Sequence, residues 1–169
     1  MVLCSGLLKV MEDCIFCKIV SGEVPSHKVW EDEKHMAFLT IFPNTVGVTV
    51  VITKDHNPSY IFENTDEVVS KLMLATKKVA KILDSTFEDV GRTGVVFEGF
   101  GVDHLHSKLY PMHGTGNMDE WKMIESGSKK DFFDKYPGYI SSNDSLRADD
   151  GELSEIAAKI VETAKKLNK

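Results

Sequence analysis

Apolar residues in this chain recur with two periods, and the switches between those periods mark its elements. Val29-Trp30 and His35 to Leu39 flank the polar stretch Glu31-Asp32-Glu33-Lys34, the pattern of a hairpin with a polar turn. Val46 to Thr53 is rich in β-branched residues and follows the turn signal Pro43-Asn44, so it reads as a buried strand. Asn64-Thr65-Asp66-Glu67 has the form of a capping box, with Asn64 as cap and Glu67 reaching back. Val68, Leu72, Ala75, Val79 and Ile82 then follow at helical spacing, predicting a helix over Asp66 to Leu83 whose lysines 71, 77, 78 and 81 line a solvated face. Alternation returns in Thr93 to Glu98, and Gly99-Phe100-Gly101 turns the chain into a strand carrying His104. Antiparallel pairing of these two neighbours is the cheapest connection. Leu153, Ile156, Ala157, Ile160, Val161, Ala164 and Leu167 mark a final amphipathic helix. The element order predicts an α+β domain with a mainly antiparallel sheet and helices grouped on it.

Between Gly114 and Asp150 the sequence is rich in Gly, Ser, Asp and Asn, interrupted by Trp121, Phe132-Phe133 and Tyr136 to Tyr139. Those aromatics predict a loop packed on the body. The expected division is a tail over 1–10, a core over 11–113 and an extension over 114–169 packed on the same domain. Met11-Glu12-Asp13 reads as a second possible start, and the apolar run in 1–10 is too short for a convincing signal peptide.

At 169 residues the chain suits one domain. A formal net charge of −6 argues against a nucleic acid polymer as partner but not against a small nucleotide held by a few local groups. No apolar run approaches the length of a membrane span. Three cysteines, Cys4, Cys14 and Cys17, are too few and odd for a secreted disulfide framework, so the expected location is the reducing cytoplasm.

The densest chemistry is His104-Leu105-His106-Ser107-Lys108-Leu109-Tyr110-Pro111. On a strand, alternate residues share a face, which would align His104, His106, Lys108 and Tyr110. Such a row could bind a metal, attack phosphorus or hold an anion. Cys14-Ile15-Phe16-Cys17 presents two thiols on a tight turn. They are half of a zinc site or simply two small buried cysteines; a thioredoxin-like pair fits poorly because no strand runs into Cys14. Of six histidines, His27 and His35 sit by polar turns and read as exposed, and His113 could be a surface residue or line a pocket. His56 and His104 would complete a four-ligand N/S set. His106 would then be free as a nucleophile, with Lys108 offering a positive charge to phosphate. Its bland alternative is a hydrogen bond inside the sheet. The Gly101 backbone could approach an anion, or serve only a turn.

Taken in order, these pieces resemble the histidine triad family. The motif resembles the family's His-x-His-x-His followed by two apolar residues, and Cys14 to Ile19 resembles the opening of its zinc-carrying members. Val24-Pro25-Ser26, Glu31-Asp32, Ala37-Phe38-Leu39, Ile41, Pro43, Gly47, Val50-Val51-Ile52, Lys54 and His56 extend the likeness. The resemblance implies a five-stranded antiparallel, half-barrel-like sheet with a long helix, a homodimer and a nucleotide site on each protomer. It implies a hydrolase or nucleotidyl transferase working through a covalent nucleotidyl-histidine at His106. By analogy with related uridylyltransferases it also implies structural Zn2+ on Cys14, Cys17, His56 and His104. Four positions depart from the pattern: Lys108 stands where the third histidine is usual, Thr40 replaces an acid and leaves a weaker ribose contact, Val48 replaces a histidine, and Phe100 occupies the place of a glutamine. The expected substrate contacts are Thr40, Gly101, Lys108 and His113. The departures also keep open an alternative: a nucleotide-binding or partner-binding module, weak or inactive in catalysis, with a structural zinc site.

Overall fold

A computed structural model describes residues 13–117 and 147–167. The expected tail and the aromatic stretch from Trp121 to Tyr139 lie outside the described residues. Helix α1 (Ile15–Ser21) is followed by strands β1 (Lys28–Glu31), β2 (His35–Leu39) and β3 (Thr49–Thr53), then helix α2 (Asp66–Thr86), strands β4 (Thr93–Val96) and β5 (His106–Pro111), and helix α3 (Asp150–Leu167). The strands form one five-stranded antiparallel sheet in the order β1-β2-β3-β5-β4. The fold is α+β, as the hydrophobic pattern predicts. No helix among the described residues is long and apolar enough to cross a membrane.

Alternation along the strands divides the side chains between two layers. Ala37, Leu39, Val51 and Leu109 face α2 and α3, where Leu72, Val79, Leu83, Leu153, Ala157 and Ile160 complete the larger core. Met36, Phe38, Val50 and Ile52 point to the other face and are covered by Phe16, Ile19 and Val20 of α1. Ile52 pairs with His106 and Val50 with Lys108, so both polar residues share this second face. Between them, Ser107 points to the helical side, where its hydroxyl and that of Thr76 on α2 are hydrogen-bonded at 2.8 Å. That buried contact bolts the central strand to the long helix.

Several local expectations are corrected. The N-cap of α2 is Thr65, whose hydroxyl accepts from the Val68 N–H at 3.4 Å. Asn64 is unavailable because its amide donates to the carbonyls of Pro58 and Tyr60, and Glu67 pairs forward with Lys71 instead of reaching back. The Cys14–Cys17 stretch opens a helix, with Cys14 as its N-cap, not a tight turn. His35 is buried on β2 and bonded through Nδ1 to Asp32, and both nitrogens of His27 meet α3, at Asp150 and Ser154. Neither is the free surface histidine expected. His104 precedes β5 and does not lie within it.

One glycine is indispensable to the approach to β3. Gly47 has φ +81°, and a Cβ there would stand 2.7 Å from the Phe87 ring. Gly47→Ala thus combines left-handed strain with overpacking and is expected to cost roughly 2–4 kcal/mol of unfolding free energy. Urea titration of both proteins measures this directly; a loss below about 0.5 kcal/mol, the range of an ordinary surface change, would contradict it.

Candidate functional site

Cys14, Cys17, His56 and His104 converge from three segments that are distant in sequence. Their four ligand atoms lie within 4.8 Å of one another. Cys14 Sγ is 3.4 Å from His104 Nδ1, Cys17 Sγ is 3.3 Å from His56 Nδ1, and Cys17 Sγ is 3.6 Å from His104 Nδ1. Ligands about 2.0–2.3 Å from a tetrahedral ion stand roughly 3.3–3.8 Å apart, so these three separations fit neighbouring ligands of a four-coordinate metal. The surroundings fit as well. The Nε2–H of His104 donates to the Thr53 carbonyl at 2.7 Å, which fixes the tautomer and turns the Nδ1 lone pair toward the sulfurs. Burial holds His104 neutral, pushing it down to about 4, and its neighbour His56 adds to that. Burial, with a hydrogen bond and charge from Cys14, pushes the Cys17 thiol up to about 11. Two adjacent thiolates are unfavourable without a cation between them, and a divalent ion removes that penalty.

Next to this group lies His106, only 3% exposed. Its Nδ1–H donates to the His104 carbonyl at 2.6 Å, so the neutral ring carries its free lone pair on Nε2. Nε2 has no protein partner among the described residues. No buried side-chain nitrogen or oxygen there lacks one, which puts Nε2 at the accessible edge of the ring. Burial is the largest influence on the imidazole and lowers its pKa, keeping the ring unprotonated at neutral pH. The ring of Phe16 packs edge-on against both, 5.4 Å from His106 and 5.8 Å from His104.

Lys108 is half-buried on the same face, and its Nζ donates to a Glu98 carboxylate oxygen at 3.0 Å. Thr40, just past β2, uses its hydroxyl oxygen to accept the Phe42 N–H at 3.2 Å. Gly101 has φ +86° with open space where a Cβ would be, so the backbone conformation alone accounts for the glycine. His113 lies beyond the far end of β5. Its Nδ1 contacts Asp89 at 3.0 Å, its Nε2 contacts the Val46 carbonyl at 3.1 Å, and its ring packs on Phe87. Both of its nitrogens are engaged within the protein. Clefts of about 400 and 370 Å3, lined by residues such as Trp30, His35 and Leu74 in one and Leu74, Lys77 and Lys81 in the other, lie on the helical side of the sheet, away from His106.

Sequence reasoning did not single out Glu98 or Phe16. The alternation that aligns Val96 with Lys108 also carries Glu98 to that face, and Phe16 is the apolar centre of the Cys-x-x-Cys stretch.

Fold and site together define a small α+β protein in which a Cys2His2 group able to hold a metal adjoins a second, differently tethered histidine. The chain belongs to the histidine triad family: the HIT domain matches residues 21–113. It is 39% identical over 110 residues to the protein hit of Bacillus subtilis, covering 63% of this chain and 75% of that one. It is 35% identical over 99 residues to the adenosine 5'-monophosphoramidase of Schizosaccharomyces pombe, covering 58% and 73%. A solved HIT family protein from Bacillus subtilis superposes with a TM-score of 0.54 at 36% identity, covering 66% of this chain and 82% of that one. A zinc-bound histidine triad family protein from Mycobacterium smegmatis shares the fold over 94% of this chain and 97% of its own, with a TM-score of 0.66 at 21% identity.

Proposed function

We propose that this chain cleaves a nucleoside 5'-phosphate derivative at its α-phosphorus through a covalent nucleotidyl-histidine on His106. The observation that carries the reading is the Nδ1–H bond to the His104 carbonyl, which leaves Nε2 as the nucleophilic nitrogen. Nε2 forms a bond to phosphorus while the bond from phosphorus to the leaving group breaks. The leaving group departs with the electron pair and takes up a proton. The ring becomes positively charged, and the carbonyl at Nδ1–H stabilises that charge. Water then attacks phosphorus, the P–N bond breaks, and the nucleoside monophosphate leaves with the ring restored; another acceptor in place of water makes the reaction a transfer. Lys108 supplies positive charge beside the phosphoryl oxygens, and the Gly101 amide and the Thr40 hydroxyl are further proposed contacts to phosphate and ribose. His113, with both nitrogens engaged, is given no part.

Zinc is the metal we assign to Cys14, Cys17, His56 and His104, because two thiols and two imidazoles at these separations match its preferred donors. When bound it ties α1 to the segment leading into β5. The carbonyl that orients His106 belongs to one of the ligand residues, so the same tie holds the nucleophile. We also assign a cytoplasmic homodimer. Strand β4 is an open edge of the sheet with Val95 exposed, a surface that a second copy would cover.

The amidase relatives make adenosine 5'-phosphoramidate the first substrate to test. AMP release by the wild-type protein, well above the buffer rate, is the expected result. Tight AMP binding without product would favour a binding module instead, a reading motivated by the Glu98 carboxylate that already engages Lys108.

A further inference from the structure

Lys108 stands at the third position of the motif, and its ammonium is not left to find phosphate unaided. Val96 of β4 pairs with Lys108 of β5, and Glu98 follows two residues later, so strand alternation brings Glu98 to the face that carries His106 and Lys108. The Lys108 and Glu98 side chains are only 18% and 14% exposed, and the Nζ to Oε1 distance is 3.0 Å. A lysine on its four-carbon stem is a flexible, strongly hydrated point charge, and a carboxylate on the neighbouring segment restricts where that charge can sit. An unaccompanied carboxylate beside a phosphate site would repel the substrate, so the pair acts as a unit.

We propose that Glu98 is a positioning residue for phosphoryl transfer, holding the Lys108 ammonium over the His106 face so that it meets the transferring group in one fixed orientation. The proposal rests on the reading of His106 as nucleophile and extends it to a residue outside the motif. Glu98 touches no reacting atom in this account; it acts only through Lys108.

That restriction makes the idea testable by a double-mutant cycle. Wild type, Glu98→Gln, Lys108→Met and the uncharged double variant are compared on adenosine 5'-phosphoramidate, with a thermal melt of each. Glu98→Gln is expected to lower kcat about tenfold or more while KM changes less than about threefold. The double variant should match Lys108→Met within about twofold, because placing the Lys108 ammonium is the one catalytic role the proposal gives Glu98. Glu98→Asp, which keeps the carboxylate, should recover part of the kcat lost in Glu98→Gln. Lys108→Met removes a cation from beside a half-buried carboxylate; if it melts low, the double variant, which removes both charges, carries the comparison together with Glu98→Asp. Losses that multiply in the double variant, or a Glu98→Gln kcat within about twofold of wild type, would overturn the proposal. If the wild-type protein shows no turnover, the nucleophile reading has failed on its own. The same cycle read on AMP affinity then decides the pair: coupled effects keep Glu98 as the residue placing the cation, and additive effects remove it.

Discussion

His106→Asn is expected to abolish turnover, lowering kcat by about ten-thousand-fold or more while leaving the fold intact. The asparagine amide can still donate toward the His104 carbonyl that receives the Nδ1–H in wild type, so the change is close to isosteric on the tethered side. What it removes is the lone pair on the opposite side of the ring. Among the described residues the neighbouring nitrogens offer no replacement. His104 is tied at Nε2 to the Thr53 carbonyl and faces the sulfurs with Nδ1, and Lys108 is held by Glu98. AMP affinity should change little, because the substitution deletes a bond-forming atom and not a charge. Equal turnover in wild type and variant would mean that water attacks the substrate directly or that another residue is the nucleophile.

The second large effect concerns the metal group. Elemental analysis is expected to find about one zinc per chain, and removing it with a strong chelator, or replacing Cys17 by Ser, should lower unfolding free energy by several kcal/mol, on the order of 5. Without the ion, four polar side chains are left to satisfy one another where α1 meets the sheet. The effect should reach catalysis too, because the His104 backbone carbonyl orients His106. Acid should act in the same direction. The His104 pKa is depressed to about 4 from an ordinary 6.5, chiefly by burial, so the folded state resists a proton that the unfolded chain accepts. Its contribution is complete above about 6.5 and is lost as the pH falls from there toward 4, up to roughly 3 kcal/mol from this one ring. Protonation also removes the lone pair that a metal needs, so acid opposes zinc binding as well, at a pH set by the competition between proton and metal. Metal-free protein as stable as the untreated protein, or a melting temperature flat between pH 7 and pH 4, would contradict this account.

How far the sequence is readable depends on whether the deciding contacts are local. The α2 pattern is carried by residues three and four apart, and Leu72, Ala75, Val79 and Ile82 are buried as that spacing predicts. The cap is less legible. Asn64 and Thr65 are both good N-caps, and the choice between them is made by the Pro58 and Tyr60 carbonyls, which no window around the helix reveals. The Cys-x-x-Cys stretch reads as a tight turn on its own, and the spacing of Phe16, Ile19 and Val20 is the faint helical signal that α1 contains. The polar neighbours of His35 predict exposure, yet Asp32 folds back onto it and β2 is buried along its whole length. The four metal-group residues were legible from residue chemistry and the family likeness together. Their convergence depends on the β3–β5 pairing and on the Thr53 carbonyl that turns His104, neither of which spacing along the chain expresses. Glu98 is hard to read from sequence for a related reason. Its significance lies in Lys108 across the sheet, not in any residue beside it.

Chain that is mixed with adenosine 5'-phosphoramidate, quenched within milliseconds and weighed intact provides the most direct measurement. The account predicts a fraction of wild-type chains heavier by one adenylyl group, attached at His106, lost on brief acid treatment and stable to base, as a phosphoramidate is, and absent from His106→Asn. Steady turnover with no such species at any quench time, or the same species in His106→Asn, would contradict it.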